Sequence, residues 1–216
     1  TALARMAAQL ADHLEAQPAL NLGDVAPTLR VGRKAFAQRL ALVADSSAET
    51  VAFLRDAATP YKVSGAVAPR SHDLVLLFPG QGAQYAGMGR TLYVHDEIFR
   101  AALDECFAAF DAVLPFSLRE RMFSDDADAL LPTSVTQPAT FALEVALARR
   151  TLAFGLRPAA MIGHSVGEFA AAVIANVMSL TDAARLVAQR GALMQALPAG
   201  QMLSVRLAAA QLAPYL

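Results

Sequence analysis

The sequence predicts an α/β fold, a mainly parallel sheet flanked by helices, with a small α+β region ahead of it. Three observations carry this. First, Asp73-Leu74-Val75-Leu76-Leu77-Phe78 is an unbroken apolar run too short for a helix, as expected of a strand buried on both faces, and it runs straight into Pro79-Gly80-Gln81-Gly82-Ala83-Gln84. Second, Ala159 to Ile162 forms a similar short run that meets Gly163-His164-Ser165-Val166-Gly167-Glu168 and then becomes an Ala-rich helix reaching Val177. Third, strands alternate with helical patterns over short links, which argues a parallel sheet covered by helices.

Taken in order, Leu3, Met6, Leu10 and Leu14 recur at helical spacing and predict an amphipathic helix over 2–17 closed by Pro18. Residues 27–44 read as two short strands around the Gly32-Arg33-Lys34 turn, the second carried by Phe36, Leu40, Leu42 and Val43. Ser46 followed by Glu49 is a capping-box pattern, opening a helix with Val51, Phe53 and Leu54. The order predicted for 1–70 is therefore α-β-β-α. From Thr59 to Ser71 the chain turns to Pro60, Gly65, Pro69 and small or polar residues, which reads as a linker, so a second domain is expected from 71 onward. A helix over 96–114 places Ile98, Phe99, Ala102, Cys106, Ala109 and Val113 on one face. Thr136 is placed to cap the next helix, with Pro138 in its first turn and Gly155 past its end. Thr181 and Asp182 open a further helix whose apolar stripe holds Ala183, Leu186, Val187, Leu193, Met194 and Leu197.

Composition narrows the classes of function. Net charge is −1 without a basic block or acidic tail, so neither nucleic acid nor a membrane surface is an expected partner. No apolar run approaches the ~20 residues of a spanning helix. The single cysteine excludes an internal disulfide framework and suits a reducing cytoplasm, and no Cys/His spacing suggests a metal. Cys106 lies within its helix's apolar stripe and reads as core. The Gly-rich loop lacks Gly-Lys-Ser/Thr, and Gly-x-Gly-x-x-Gly fails at Tyr85, so no P-loop or dinucleotide site is supported. The chain begins at Thr1, has no methionine before Met6 and carries no signal segment, and so reads as a piece of a longer polypeptide.

The strand-to-helix junction at 163–168 has the form of a nucleophile elbow. Flanking glycines let two backbones approach while the serine oxygen projects, and the helix N-terminus supplies unpaired N–H groups and positive potential for developing negative charge. A serine hydroxyl needs a base to act as a nucleophile. The histidines are His13, His72, His95 and His164. His164 points away from its neighbour Ser165, and no histidine follows Ser165, so the Ser, Asp, His order of an α/β-hydrolase cannot be completed. Stepping ~100° per residue, Arg190 falls in the middle of its helix's apolar stripe. A guanidinium there needs an anion, which an internal carboxylate could supply, unless it snorkels to the edge. Arg149 and Arg185 lie off their apolar faces and read as solvated charges.

Four motifs in order, Phe78-Pro79-Gly80-Gln81-Gly82-Ala83-Gln84, Thr136-Gln137-Pro138-Ala139, Gly163-His164-Ser165-Val166-Gly167-Glu168 and Gln189-Arg190-Gly191, resemble the malonyl/acyl-CoA:acyl carrier protein acyltransferase family. The form is that of an acyltransferase domain of a modular polyketide synthase, over residues 73–216. Residues 1–70, with Ala26-Pro27-Thr28-Leu29-Arg30-Val31-Gly32-Arg33, resemble the linker that follows a ketosynthase in such synthases. The resemblance implies a hydrolase-like sheet and no bound cofactor. Ser165 would attack the thioester of an acyl-CoA, malonyl-CoA in particular, and the phosphopantetheine thiol of an acyl carrier protein would then cleave the acyl-enzyme. It implies an oxyanion hole from the backbone N–H groups of Gln81 and Val166, a carboxylate-binding role for Arg190, and pocket positions for His164 and Gln137. Valine after the serine is similar to malonyl-selective members, whereas methylmalonyl-selective ones often carry glutamine.

One departure stands out. The family's catalytic histidine comes from a later segment, beyond an inserted ferredoxin-like subdomain, and only 51 residues follow Ser165 here. Residues 200–216 match the first strand and helix of that insert, so this polypeptide alone is expected to acylate slowly or not at all. A serine hydrolase and a non-catalytic docking piece are the competing expectations.

Overall fold

Residues 1–56, 58–67 and 73–198, with Ala208 and Gln211, are described by a computed structural model, in which the chain divides into two units, Thr1–His72 and Asp73–Leu216.

In the first unit, helix α1 (Ala2–Ala16) is opened by Thr1, whose hydroxyl accepts from the Ala4 N–H at 3.3 Å, and it turns Ala11 and Leu14 inward. Helix α2 (Leu22–Val31) replaces the first of the two expected strands. The Asn21 side chain accepts from the Gly23 N–H at 2.8 Å, and this cap starts a helix that Thr28 and Val31 would not favour alone. Strand β1 (Gln38–Leu42) precedes helix α3 (Ser47–Arg55). The capping box forms: Ser46 Oγ accepts from the Glu49 N–H at 3.1 Å, while the Glu49 carboxylate reaches back to the Asp45 N–H at 2.6 Å. Strand β2 (Lys62–Ala66) lies in the segment read as linker and pairs antiparallel with β1, Gln38 opposite Ala66 and Leu42 opposite Lys62. The observed order is thus α-α-β-α-β. Helices α1 and α3 close on Ala11, Leu14 and Leu54, with Leu10, Leu40 and Val51 packed around them.

The second unit starts with strand β3 (Leu74–Phe78), which pairs in parallel with strand β4 (Pro158–Gly163), Leu76 opposite Met161 and Phe78 opposite Gly163. Between them run α4 (Arg90–His95), α5 (Glu97–Asp111), α6 (Leu118–Met122) and α7 (Thr133–Ala153); α8 (Gly167–Ile174) and α9 (Leu180–Gln195) follow. Parallel strands joined through helices are the α/β arrangement that the alternating pattern predicts.

Two expectations are corrected. The strand at 74–78 is not buried on both faces: Leu76 and Phe78 face the core, but Leu77 is 71% exposed, as is its β4 neighbour Ile162 at 59%. Among the described residues, helices cover only the Leu76–Phe78 side of this pair. Helix α7 begins at Thr133, with Pro132 before it, so Thr136 is inside the helix rather than capping it. Its hydroxyl donates back to the carbonyls of Leu130 and Pro132, and Pro138 sits within the helix.

Core packing centres on α7, which is buried on most sides, polar Thr136, Gln137, Thr140 and Glu144 included, and is flanked by α5, α8 and α9. Helix α5 is capped by Asp96, which accepts from the Phe99 N–H at 2.8 Å, and turns Phe99, Leu103, Phe107 and Phe110 inward, while Ile98 faces out. Cys106 is fully buried among them, and burial pushes its thiol up to about 12, in keeping with a packing role. The strand and helix expected over 200–216 lie outside the described residues, Ala208 and Gln211 aside. No helix among the described residues is long and apolar enough to cross a membrane.

Candidate active site

Strand β4 ends at Gly163, and the chain turns into α8 within four residues. Ser165 occupies the left-handed region at φ 56°, a conformation that costs a non-glycine residue of order 1–3 kcal/mol and is held only where the surroundings dictate it. The surroundings here are tight. The His164 N–H donates to Phe78 O at 2.9 Å and locks the turn to the end of β3. A Cβ on Gly163 would sit 2.3 Å from Glu168 Cα, and one on Gly167 would sit 2.3 Å from Phe78 O, so both glycines are required by close approach. Val166 is fully buried beneath the turn, and Ser165 is exposed above it.

Arg190, on α9, reaches this serine: its Nη2 donates to Ser165 Oγ at 3.1 Å and its Nη1 to Gln137 Oε1. Gln137 is fully buried on α7, and its Nε2 donates to Thr133 Oγ1 at 2.9 Å and lies 3.3 Å from Met194 Sδ. Thr133 Oγ1 in turn donates to Gln81 Oε1 at 2.9 Å. One hydrogen-bonded chain therefore joins the elbow, α9, α7 and the loop after β3. Helix α9 can approach because a Cβ on Gly191 would be 3.1 Å from Ser134 Cα, closer than most neighbours tolerate.

The placement of Arg190 differs from the expectation in one respect. The buried stripe of α9 is Ala183, Ala184, Val187, Ala188 and Gly191, with Leu186 and Leu193 exposed, so Arg190 stands at the stripe's edge and is half-buried. Small residues pack closest to α7, and the larger ones that suggested the stripe point outward. Among the described residues Arg190 forms no ion pair with a carboxylate. With five donors in its guanidinium and two engaged, it can accept an anionic ligand.

Gln81 lies in the turn after β3 and Val166 at the start of α8, and among the described residues neither backbone N–H donates to a protein acceptor. His164 is exposed and makes no hydrogen bond to Ser165; it packs beside Gly80, where a Cβ would meet its Nδ1 at 2.8 Å. His13 belongs to α1, His95 ends α4, and His72 lies outside the described residues. The described residues thus offer Ser165 a cationic donor but no base. They also hold no group of three or more His, Cys, Asp or Glu that could bind a metal ion.

Thr133 and Met194 were not foreseen as site residues. The signal for Thr133 was its place four residues before Gln137 on one helix face, which depended on the true start of α7. A second feature lies away from the serine: Glu144, 8% exposed, has no hydrogen-bond partner among the described residues at either carboxylate oxygen, and burial raises it to about 8. It lines a cleft of about 220 Å³ beside β3 with Leu76, Phe78, Leu143 and Leu147, and Ser165 is not part of that cleft.

The model of the acyl transferase domain family matches residues 75–214, and that of the C-terminal region of CurL-like polyketide synthases matches residues 1–54. Polyketide synthase GfsB from Streptomyces halstedii is 43% identical over 92% of this chain, which spans 4% of that protein. The solved acyl transferase domain of ZmaA superposes with a TM-score of 0.82 at 39% identity, over 92% of this chain and 47% of that one. A malonyl-transacylase solved in complex with a type II polyketide synthase acyl-carrier protein gives a TM-score of 0.52 at 36% identity, over 59% of this chain and 40% of that one. The fold is α/β, with an exposed serine on a strand-to-helix elbow. The chain belongs to the acyl transferase domain family of modular polyketide synthases, and it spans about half the length of the solved ZmaA domain.

Proposed function

We propose that this chain, within a complete acyltransferase domain, loads a malonyl extender unit from malonyl-CoA, through an acyl-enzyme on Ser165, onto the phosphopantetheine thiol of an acyl carrier protein during polyketide biosynthesis. The observation that carries this is Arg190: a half-buried guanidinium hydrogen-bonded to the nucleophile's oxygen, with no carboxylate of its own among the described residues. A malonyl carboxylate would take two parallel N–H bonds from it, and Gln137 would hold the guanidinium in orientation. Engaging the carboxylate frees Ser165 Oγ to attack the thioester carbon. The tetrahedral oxyanion would be received by the N–H groups of Val166 and Gln81, with the α8 N-terminus adding positive potential. The Oγ–carbon bond forms, the thioester C–S bond breaks and the hydroxyl proton passes through a base to the sulfur, so CoA leaves as the thiol. The carrier thiol then attacks the acyl-enzyme, breaks its ester C–O bond and gives its proton back to Ser165 Oγ. His164 contributes a wall beside Gly80 rather than a base.

Residues 1–70 act in this reading as the linker to a ketosynthase, residues 71–199 as the larger part of the acyltransferase, and 200–216 as the start of its small subdomain. The described residues offer Ser165 no base, so in this reading the 216-residue chain by itself acylates slowly or not at all. Full turnover of this chain with malonyl-CoA, read by intact mass, would overturn that statement.

The function is tested with Arg190→Ala in the complete domain, comparing malonyl-CoA with acetyl-CoA. Loss of a charge-assisted bidentate contact lowers malonyl kcat/KM by roughly 100-fold and acetyl kcat/KM by only a few fold. Unchanged activity toward both donors would favour a hydrolase that releases acyl groups to water and has no use for Arg190.

A further inference from the structure

We propose that Thr133 is a positioning residue that holds the Gln81 loop in register with Arg190, so that the group gripping the substrate's carboxylate and the group receiving its oxyanion are set by one hydroxyl. This rests on the acyl-transfer reading of Ser165. The direction of each hydrogen bond supports it. Arg190 has only donors, so Gln137 must turn Oε1 toward it and Nε2 toward Thr133. Thr133 Oγ1 accepts that N–H at 2.9 Å, which leaves its one proton for Gln81 Oε1 at 2.9 Å. The buried Gln137 amide cannot turn over without breaking its bonds to both Arg190 and Thr133.

The two ends of this chain differ in how firmly they are held. Arg190 sits on a packed helix whose level is set by the same turn of α7, because a Cβ at Gly191 would meet Ser134 Cα at 3.1 Å and Thr133 O at 3.3 Å. Gln81 is exposed on a loop between two glycines, and Thr133 is its side-chain partner among the described residues. The first residue of α7 therefore joins a rigid element to a soft one, and the soft one carries a proposed oxyanion N–H.

The test is acylation by malonyl-CoA in the complete acyltransferase domain, read as kcat and KM for Thr133→Val, Thr133→Ser, Gln81→Ala and the double variant Thr133→Val/Gln81→Ala. Valine keeps the shape and removes both hydrogen bonds, and kcat falls roughly 10- to 100-fold with KM within about 3-fold. Serine keeps the hydroxyl and restores kcat to within about 3-fold. Gln81→Ala retains the backbone N–H but loses the side chain, so it falls as far as Thr133→Val, and the double variant falls no further than either. Multiplying losses, a rise in KM alone, or failure of serine to rescue would make Thr133 merely structural and overturn the proposal. Wild-type kcat for Thr133→Val would do the same. Acylation that survives Ser165→Ala would instead overturn the reading on which the proposal rests.

Discussion

Among the described residues of Thr1–His72 the buried apolar side chains are Ala11, Leu14 and Leu54, from α1 and α3, while α2 adds to this cluster only the partly buried Val25; Val31, Phe36, Val43 and Val63 stand exposed. In Asp73–Leu216 a contiguous core runs through α5, α7, α8 and α9, with Phe99, Phe107, Phe110 and Phe141 at 2% exposure or less. The site lies entirely in the second unit. A chain of hydrogen bonds across four elements keeps its geometry only if those elements cannot slide, and dense side-chain packing resists sliding in a way that surface ion pairs do not.

The largest test of this contrast is Phe110→Ala, which empties a fully buried position against Phe141, whose ring lies edge-on at 5.7 Å. It should cost about 3–5 kcal/mol by urea denaturation of the second unit's transition, against about 2 kcal/mol for Leu54→Ala in the first. Equal costs would erase the distinction. Next in size is Glu144, whose folded-state pKa is raised from 4.5 to about 8. Its neutral form is the one the fold accepts, so its cost is absent below about 4.5, grows as pH rises toward about 8, and is constant above. Glu144→Met should therefore stabilise the second unit on the order of 1–3 kcal/mol at high pH and much less at pH 4. A pH-independent gain would show that the carboxylate finds a partner in solution. The smallest effect belongs to Arg55, which joins α3 to Asp12 and Glu15 of α1 at 3.1 and 2.6 Å in full view of solvent. Arg55→Met should leave the urea midpoint of the first unit unchanged at moderate salt.

What could be read from sequence follows the same division. The elbow at 163–168 was legible because tight backbone approach demands glycines at fixed positions, and the capping box at Ser46 because it is local. Helix α2 was missed although Leu22, Val25, Ala26 and Leu29 recur at helical spacing, because reading 27–44 as strands cut across that pattern; the other sign of it was the Asn21 cap. Strand β2 was missed because its side chains are largely exposed and its pairing partner β1 is remote in sequence. Burial of β3 on both faces was inferred from apolarity alone; the described residues cover its Leu76–Phe78 face, and the chain spans about half of the solved ZmaA domain. Arg190 was found, but by a stripe whose larger members face outward. Thr133 was invisible because its two bonds require α7 to start at 133 and Gln81 to arrive from 52 positions away.

The left-handed backbone at Ser165 has a consequence for which nucleophiles this site can ever use. A β-branched residue suffers most at positive φ, so threonine, chemically the nearest substitute for serine, is the hydroxyl this turn is least able to hold. Cysteine and aspartate, whose β-carbons are unbranched, meet no such obstacle. The turn thus sorts nucleophiles by shape before any difference in reactivity is felt, and the routes by which this site can drift toward other chemistry lead through sulfur or carboxylate, not through a second alcohol.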